Sequence, residues 1–351
     1  MSCPDRIFAD VPGVAVAVVG TGAVGARVAR QLHGSPGVER LLVADVDGGR
    51  ADAIATSLGE DVTVVPASAP VDELVRGSVV VLACPGDHRP LAQRALAVGA
   101  SVVSVSDDLD VASSLLALDA EAFERQQVVV VGAGMAPGLS CLLARHAAAD
   151  FTGVEEIHVA KVGTGGPACA RQHHRALRTP MREWRDGAMV TRRSGSGREL
   201  CWFPDPVGGL DCYRAAVADP VLLHAAFPSV SRVTARLAAS RRDRVTSRLP
   251  MLRRPHAEGQ LGAVRVEVRG WRDAVSDTRV LGAIDRPGVA AAGVAVVSAL
   301  WALGGVGAGR FRRFGAGGLA DLVSEPVPFL ADLAERGVRA AVFEGETAPT
   351  R

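Results

Sequence analysis

Residues 14–25 read VAVAVVGTGAVG, so an apolar run leads directly into a turn of regularly spaced glycines. Gly20 permits a tight turn at the end of a strand, and Gly22 lets a ligand approach the backbone without meeting a Cβ atom. Gly25 lets a following helix lie close to the strand. A strand, a glycine turn of this spacing and a helix, in this order, predict a binding site for the diphosphate of a dinucleotide.

A helix is predicted after the turn because Val24, Val28 and Leu32 recur at helical spacing on one face. Asp45 ends the next apolar run about twenty residues after the last glycine. A carboxylate at that place accepts hydrogen bonds from the adenosine ribose and repels a 2′-phosphate. Arg50 follows closely in the sequence, and its guanidinium could accept that phosphate. We therefore expect NAD or NADP as the cofactor, with NAD favoured.

The composition limits the class of protein. A chain of 351 residues is long enough for two domains with full cores. Its formal net charge of +1 argues against a nucleic acid or a membrane surface as partner, so we expect a small-molecule substrate. The six cysteines include no CxxC pair, which is typical of reduced thiols. Residues 1–10 lack the apolar core of a signal peptide, and a cytoplasmic location is expected.

The sequence pattern changes near the middle of the chain. Up to residue 131, short apolar strands alternate with helical segments, which predicts an α/β fold with a Rossmann doubly wound parallel sheet. From residue 155 onward, apolar and polar residues alternate, which predicts a second α+β domain on a largely antiparallel sheet. The expected units are a Rossmann dinucleotide-binding domain over 1–150, a substrate and dimerisation domain over 151–286, and C-terminal helices over 287–351 returning toward the Rossmann domain. A homodimer built on the second sheet is a further expectation.

Individual elements are predicted from the same patterns. In the first half, the later strands are expected at 62–65, 78–83, 101–105 and 127–131, and helices at 90–99 and 111–125. In the second half, strands are expected at 156–162, 232–239, 264–268, 279–284 and 338–343, and helices at 287–303 and 327–337. Residues 163–206 are expected to form a long irregular connection and residues 304–318 a flexible one. Residues 287–304 approach the length of a membrane span, but their Ala, Gly and Val content favours a buried helix.

Ligands of an open parallel sheet bind beyond the carboxyl ends of its strands. Three segments follow such ends, namely CPGDH at 84–88, SVSDD at 104–108 and GAGMAPGLS at 132–140. The third has small residues and a proline near a predicted helix start, so it can present backbone amides to a ligand. These segments are expected to surround the reacting groups.

In three stretches the chain resembles the saccharopine dehydrogenase-like family. They are GTGAVG at 20–25, HRPLA at 88–92 leading through Gly99 to SVSDD at 104–108, and GMAPGLS at 134–140. The likeness extends to about residue 165 and fades beyond it, so no substrate is carried over. Members of that family are NAD(P)-dependent oxidoreductases that typically reduce an imine formed from an amine and a carbonyl compound, or run the reverse.

The resemblance implies an enzyme, an NAD(P)-dependent oxidoreductase that transfers hydride between nicotinamide and a small polar substrate, an imine or amine. A carbonyl or enoyl reductase remains an alternative, as does a catalytically inactive protein that binds or senses nucleotides. The residues expected to bind the cofactor are Gly20, Thr21, Gly22, Ala23, Val24, Gly25, Asp45, Cys84, Pro85, Met135, Pro137 and Gly138.

Lys161 is the only lysine of the chain, since every other residue counted with it is arginine. It ends a predicted strand just before the glycine-rich turn GTGG at 163–166. Unlike arginine, lysine can lose a proton when it is desolvated, so it can act as a general acid, base or amine nucleophile. We expect Lys161 to be catalytic or substrate-binding, with a chance surface lysine as the alternative.

His173 and His174 follow the same turn, and imidazole titrates near neutral pH. Adjacent residues point in different directions, so at most one of these two candidate catalytic residues is expected to face the site. Cys169 and His173 alone do not predict a metal site, because no second ligand pair at suitable spacing is present. Candidate carboxylate-binding residues in the same region are Arg171, Arg175, Arg178 and Arg182.

Overall fold

The computed structural model describes residues 15–59, 61–66, 78–251, 254–307, 310–338 and 340–343. Val14 and the N-terminal segment considered above lie outside the described residues. The described chain forms two β-sheets with helices packed against them. The expected combination of a Rossmann sheet and a second, largely antiparallel sheet is therefore confirmed.

The first sheet contains seven parallel strands. With strands numbered along the whole chain, they are β1 (Ala15–Val19), β2 (Arg40–Ala44), β3 (Val62–Val64), β4 (Val79–Leu82), β5 (Ser101–Ser104), β6 (Val128–Val131) and β15 (Gly315–Gly317). Their spatial order is β15-β6-β5-β4-β1-β2-β3. The interior strands β4 and β6 read VVVL and VVVV and are fully buried, as expected of strands that are covered on both faces.

The second sheet contains nine strands in mixed, mostly antiparallel order. They are β7 (Gly153–Val162), β8 (Met181–Arg185), β9 (Ala188–Arg192), β10 (Glu199–Phe203), β11 (Gly208–Arg214), β12 (Arg232–Ala238), β13 (Gly262–Arg272), β14 (Val275–Asp285) and β16 (Ala340–Phe343). The main path is β10-β11-β12-β7-β13-β14-β16, and β8 pairs with β12 and β9. Strand β7 lies in the middle of this path, and its carboxyl end lies near the carboxyl ends of the strands of the first sheet.

Twelve helices are assigned within the described ranges. They are α1 (Gly25–Leu32), α2 (Gly48–Leu58), α3 (Arg89–Ala97), α4 (Leu109–Leu116), α5 (Asp119–Glu124), α6 (Leu139–Ala148), α7 (Pro167–Ala176), α8 (Asp219–Ala226), α9 (Arg241–Thr246), α10 (Pro287–Leu303), α11 (Leu319–Leu322) and α12 (Pro326–Glu335). Helix α10 is buried along most of its length and contacts β4, β5 and α1, so it is a buried helix as expected. Among the described residues, no helix has the length and hydropathy needed to cross a membrane.

Three local predictions were wrong. Residues 163–206 form α7 and strands β8 to β10 instead of an irregular connection, and β8 and β9 are joined by a two-residue turn. Asp186 and Gly187 have positive φ angles of 49° and 85° there, as a type I′ hairpin requires. The helix expected at 111–125 is two short helices, α4 and α5. Gly315–Gly317, expected to lie in a flexible connection, is strand β15 and pairs with β6.

Candidate active site

A cavity of about 1030 Å³ lies at the carboxyl ends of the Rossmann strands. Its walls include the segments that follow β1, β4, β5 and β6, as the topology of an open parallel sheet predicts. The end of β7 and the first turns of α7 close the opposite side. The cavity is at the upper end of the range of about 300–1,000 Å³ that is usual for cofactor and ligand sites.

The glycine turn after β1 has the geometry that a diphosphate needs. Gly20 has a φ of +95°, and a Cβ at Gly25 would lie 1.7 Å from the Gly20 carbonyl oxygen, so both positions require glycine. A Cβ at Gly22 would meet no atom within 4 Å, which leaves open space beside the backbone. The amides of Gly22, Ala23 and Val24 donate to no acceptor in the described part of the chain. These free amides at the start of α1 fit a diphosphate.

Asp45 lies directly beside this turn. Its Oδ2 accepts hydrogen bonds from the Thr21 amide at 2.6 Å and the Thr21 hydroxyl at 3.0 Å, and its Oδ1 accepts from the Asp47 amide at 2.9 Å. Burial tends to raise the pKa of Asp45, but these hydrogen bonds hold it below the ordinary value. The carboxylate keeps lone pairs for ribose hydroxyls. Arg50 also lines the cavity, so a guanidinium is at hand for a 2′-phosphate.

Lys161 reaches from the second sheet into the cavity. Its ammonium donates hydrogen bonds to Asp107 Oδ2 at 3.0 Å and to the Ala136 carbonyl at 2.7 Å, and the residue is only 5% exposed. Burial would lower the pKa of Lys161, but the charges of Asp107 and Asp219 raise it above the ordinary value. An ammonium has three N–H groups, so one remains to bind a ligand in the cavity.

His173 lies next to Lys161 on the same carboxylate. Its Nε2–H donates to Asp107 Oδ2 at 2.7 Å, and the Cys169 sulfur is 3.6 Å from the same nitrogen. Burial would lower the pKa of His173, but Cys169 and Asp107 raise it to about 9. The charges of Lys161 and His173 outweigh the effect of burial and hold the pKa of Asp107 well below its usual range. The cluster thus presents two cations on one carboxylate at the cavity wall.

Turns at the ends of the two sheets bring this cluster to the cofactor site. Gly163 and Gly166 have φ angles of +92° and +130°. A Cβ at Gly166 would lie 2.8 Å from the Ala23 Cβ, so the GTGG turn of the second sheet packs directly on the dinucleotide turn. Only glycine permits this approach. The end of β7, with Lys161, therefore lies against the carboxyl ends of the Rossmann strands.

A buried histidine fixes the cavity segment that follows β4. His88 Nδ1 accepts from the Ser104 hydroxyl at 2.8 Å, and its Nε2–H donates to the Cys84 carbonyl at 2.8 Å. Burial lowers the pKa of His88, which favours the neutral ring. The histidine therefore ties the loop bearing Cys84 to the end of β5. His88 belongs to the HRPLA stretch on which the family resemblance partly rests.

The structure separates the predicted site residues into two groups. Of the predicted cofactor-binding residues, Gly20, Gly25, Asp45 and Gly138 do not line the cavity, and the other eight do. Lys161 and His173 line it, whereas His174 points elsewhere and donates to the Leu249 carbonyl at 2.9 Å. Of the four candidate arginines, only Arg171 and Arg175 line the cavity.

Sequence reasoning missed two carboxyl groups of the site. Asp107 belongs to the SVSDD stretch and stands three residues after the end of β5, and this place at the carboxyl end of a strand is the signal that marks it. Asp219 begins α8 and is fully buried, and its Oδ1 accepts from the Ser140 hydroxyl at 2.6 Å. Burial raises the pKa of Asp219. No local pattern marks this residue, because its partners lie on other elements.

No metal ion is assigned to the cluster. Atoms of Asp107, Cys169 and His173 lie within 4.8 Å of one another, which is compact enough for a cation. However, the Lys161 ammonium is 3.0 Å from the same Asp107 oxygen that faces His173, and a divalent cation there would have to displace it. We therefore treat the cluster as a group that binds and moves protons.

The raised pKa of His173 predicts how the stability of the fold depends on pH. Below about pH 6.5, the ordinary pKa, histidine is protonated in both states and its ion pairs stabilise the fold fully. As pH rises through the folded-state pKa of about 9, the charge and this stabilisation are lost. We expect the difference in urea midpoint between wild type and His173→Gln to shrink between pH 6 and 9.5. His174→Gln, the matched control, should show no such trend; a constant difference for His173→Gln would contradict the assignment.

Comparison with known proteins supports the fold. No protein-family model and no curated protein matches the chain. Among solved structures, the chain is similar to apo saccharopine dehydrogenase (L-Glu forming) from Saccharomyces cerevisiae, with a TM-score of 0.69 and 15% identity over 94% of this chain and 100% of that one. It is also similar to amine dehydrogenase from Mycobacterium smegmatis, with a TM-score of 0.52 and 12% identity over 90% of this chain and 98% of that one. The chain thus shares its fold with these two dehydrogenases, which confirms at the level of fold the resemblance seen in the sequence.

Proposed function

We propose that the protein is an NAD(P)-dependent oxidoreductase acting on a small polar imine or amine. The observation that carries this proposal is that free amides at the start of α1 and the Lys161–Asp107–His173 cluster line one cavity. The first group fits the diphosphate of a dinucleotide, and the second can donate protons to a substrate. A bound nicotinamide would supply or accept the hydride.

The residues around the glycine turn would position the cofactor. The amides of Gly22, Ala23 and Val24 would bind the diphosphate, and Asp45 would accept hydrogen bonds from the adenosine ribose. The nicotinamide end would be bordered by the residues that follow the interior strands β4 and β6, namely Cys84, Pro85, Met135 and Pro137. This arrangement favours NAD, while Arg50 accounts for any binding of NADP.

The cluster would then act on the substrate nitrogen. A protonated imine accepts hydride more readily than a neutral one, so a positioned acid accelerates reduction. Lys161 keeps one N–H for a ligand, and Asp107 holds both it and His173 in their protonated forms. In the reverse direction a group of the cluster that has lost its proton would take up the proton released from the substrate nitrogen. Burial of the cluster strengthens these electrostatic effects.

Two arginines that line the cavity favour a substrate with a carboxylate. Arg171 and Arg175 line it, and neither forms an ion pair with a carboxylate in the described ranges. Arg175 donates to the Gln172 side chain at 2.8 Å, which leaves most of its guanidinium available. A bidentate arginine contact is the usual means of holding a carboxylate. The substrate class proposed is therefore an amino acid or 2-oxo acid and its imine.

Substituting one of these arginines tests the carboxylate contact. We expect Arg171→Ala to raise KM for a carboxylate substrate about 10- to 100-fold, because a charged hydrogen bond of about 1.5–3 kcal/mol is lost. Its kcat should change little, since the contact is remote from the reacting atoms. Arg178→Ala is the matched control because Arg178 does not line the cavity. Equal KM values for both variants and wild type would exclude the contact.

Product analysis tests the reaction class. The protein is incubated with NADH or NADPH and a 2-oxo acid, with and without an amine, and the products are separated by mass. An amine product that requires the added amine supports imine reduction. A hydroxy acid formed regardless of the amine would instead indicate a carbonyl reductase. Cofactor binding without any oxidation would indicate a nucleotide-binding protein without catalysis.

A further inference from the structure

Cys169 is a cavity-lining thiol that the proposed hydride transfer does not use. It is the third residue of α7 and is partly exposed to the cavity. Its sulfur lies 3.6 Å from His173 Nε2, and Asp107 holds that ring at 2.7 Å. Both contacts are made to the same nitrogen, whose proton Asp107 accepts, so the thiol lies beside an imidazolium held by a carboxylate, and a neighbouring cation of this kind can activate a cysteine.

Two sources of positive charge lie near the Cys169 sulfur. The first turn of a helix carries about half a positive charge, and the sulfur lies in that turn. His173 keeps its proton up to about pH 9, so a cationic ring lies 3.6 Å from the sulfur. Reactive cysteines are found in such electropositive, partly exposed surroundings.

The other thiol of the cavity wall lies in a contrasting environment. Burial raises the pKa of Cys84, and the ring 3.8 Å from its sulfur belongs to His88, whose pKa burial lowers. Cys84 therefore faces a neutral imidazole, whereas Cys169 faces a protonated one. The remaining described cysteines, Cys141, Cys201 and Cys212, are buried away from the cavity. Cys169 is thus the thiol best placed to attack a bound substrate.

We propose that Cys169 adds covalently to an aldehyde in the cavity and that the protein thereby oxidises aldehydes to carboxylic acids with NAD(P)+ as the oxidant. This inference rests on the cofactor binding proposed above, but not on imine reduction. The aldehyde carbon would become bonded to Cys169 and lie in the cavity that also holds the dinucleotide turn. In this reaction His173 would donate a proton to the carbonyl oxygen and later take it back.

The proposed reaction balances in three steps. The Cys169 thiolate forms a C–S bond with the aldehyde carbon, and the carbonyl oxygen takes the proton of His173, which gives a thiohemiacetal. The carbon then loses hydride to NAD(P)+, and the hydroxyl proton returns to His173, which gives a thioester. Water finally breaks the C–S bond and releases the acid and the thiol, and loss of the thiol proton restores the thiolate. The sum is aldehyde, NAD(P)+ and water converted to carboxylic acid, NAD(P)H and one proton.

The test follows the formation of reduced cofactor at 340 nm. The full chain is mixed with NAD+ or NADP+ and with butyraldehyde or succinic semialdehyde, which have the same number of carbons but differ by a carboxylate. We expect reduced cofactor to form and intact-mass spectra to show an acyl adduct on Cys169 that hydroxylamine removes. Arg171 and Arg175 line the cavity without a carboxylate partner among the described residues, so succinic semialdehyde should be the better substrate.

Variants distinguish this role from a structural one. Cys169→Ala and Cys169→Ser should lower aldehyde oxidation at least about 100-fold, since general-base and nucleophilic steps contribute on that order, while NADH affinity stays unchanged. Cys201→Ala, which removes a thiol outside the cavity, should oxidise aldehydes like wild type. Oxidation by Cys169→Ala at the wild-type rate would overturn the proposal. So would cofactor binding by wild type without adduct or reduced cofactor, whereas failure to bind any cofactor would overturn the proposed function itself.

Discussion

Lys161→Met will lower kcat for hydride transfer about 10²- to 10⁴-fold, the usual contribution of a positioned acid or base. The methionine side chain fills similar space but cannot donate a proton to the substrate. It also leaves Asp107 with His173 as its one remaining cationic partner in the described cluster. In the described part of the chain Lys161 donates to neither the diphosphate turn nor Asp45, so NADH affinity should change far less than kcat. Steady-state kinetics with the imine substrate, together with a fluorescence titration, measures both quantities.

Lys161→Arg separates charge from proton transfer. Arginine keeps a positive charge beside Asp107, but its guanidinium does not release a proton in proteins. We expect this variant to retain its fold and cofactor affinity while kcat falls nearly as far as in Lys161→Met. Its pH profile should lose the limb that reports the Lys161 ammonium. Equal turnover in wild type and both variants would remove Lys161 from the mechanism.

Gly22→Val will weaken cofactor binding about 100-fold, because loss of two diphosphate hydrogen bonds at about 1.5 kcal/mol each corresponds to that factor. A side chain at this position enters the open space beside the amides, where a Cβ meets no protein atom within 4 Å. The thermal midpoint should therefore stay close to that of wild type. Titration with NADH and a thermal melt on the same sample test the two expectations together.

Gly25→Ala is the matched comparison for that substitution. A Cβ there would lie 1.7 Å from the Gly20 carbonyl oxygen, so the turn must distort and the thermal midpoint should fall. The two glycines are three residues apart in one motif, yet one is expected to affect ligand binding and the other folding. Wild-type cofactor affinity in Gly22→Val would contradict a diphosphate at this turn.

Most of the Rossmann half of the chain could be predicted because its strands and its glycine turn carry local signals. Strands such as β4 and β6 are unbroken runs of large apolar residues, and the glycine turn has a fixed spacing. The hairpin of β8 and β9 was missed although Asp186-Gly187 is a strong turn signal. The first three residues of strand β8, with the sequence MREWR, alternate between buried and exposed, but the buried Glu183 is charged and conceals the pattern.

Strand β15 could not be predicted from its own residues. Gly-Ala-Gly has little preference for strand structure, and distant partners hold it in place. The Ala316 amide donates to Asp119 Oδ1 at 2.8 Å, and Arg313 donates to the same oxygen at 2.7 Å. A strand held by side chains almost two hundred positions away in the sequence has no local signal.

Some residues of the candidate site could likewise be predicted from the sequence, and others could not. Lys161 was singled out by composition, and His173 by its closeness to the turn after β7. Asp107 joins them only because the turn at 163–166 packs on the turn at 21–24, and that packing is a property of the folded chain. The pairing of Cys169 with His173, one helical turn apart, was visible in the sequence. Its proposed reactivity depends on the placement of His173 against Asp107, which only the folded chain provides.

Titration of the purified protein with NADH and NADPH, followed by nicotinamide fluorescence, tests the central claim most directly. The free amides of residues 22–24 and the carboxylate of Asp45 predict saturable binding of both, with NADH bound more tightly. Gly22→Val should abolish the signal over the same concentration range. Absence of binding to either nucleotide by the folded wild-type protein would contradict the account.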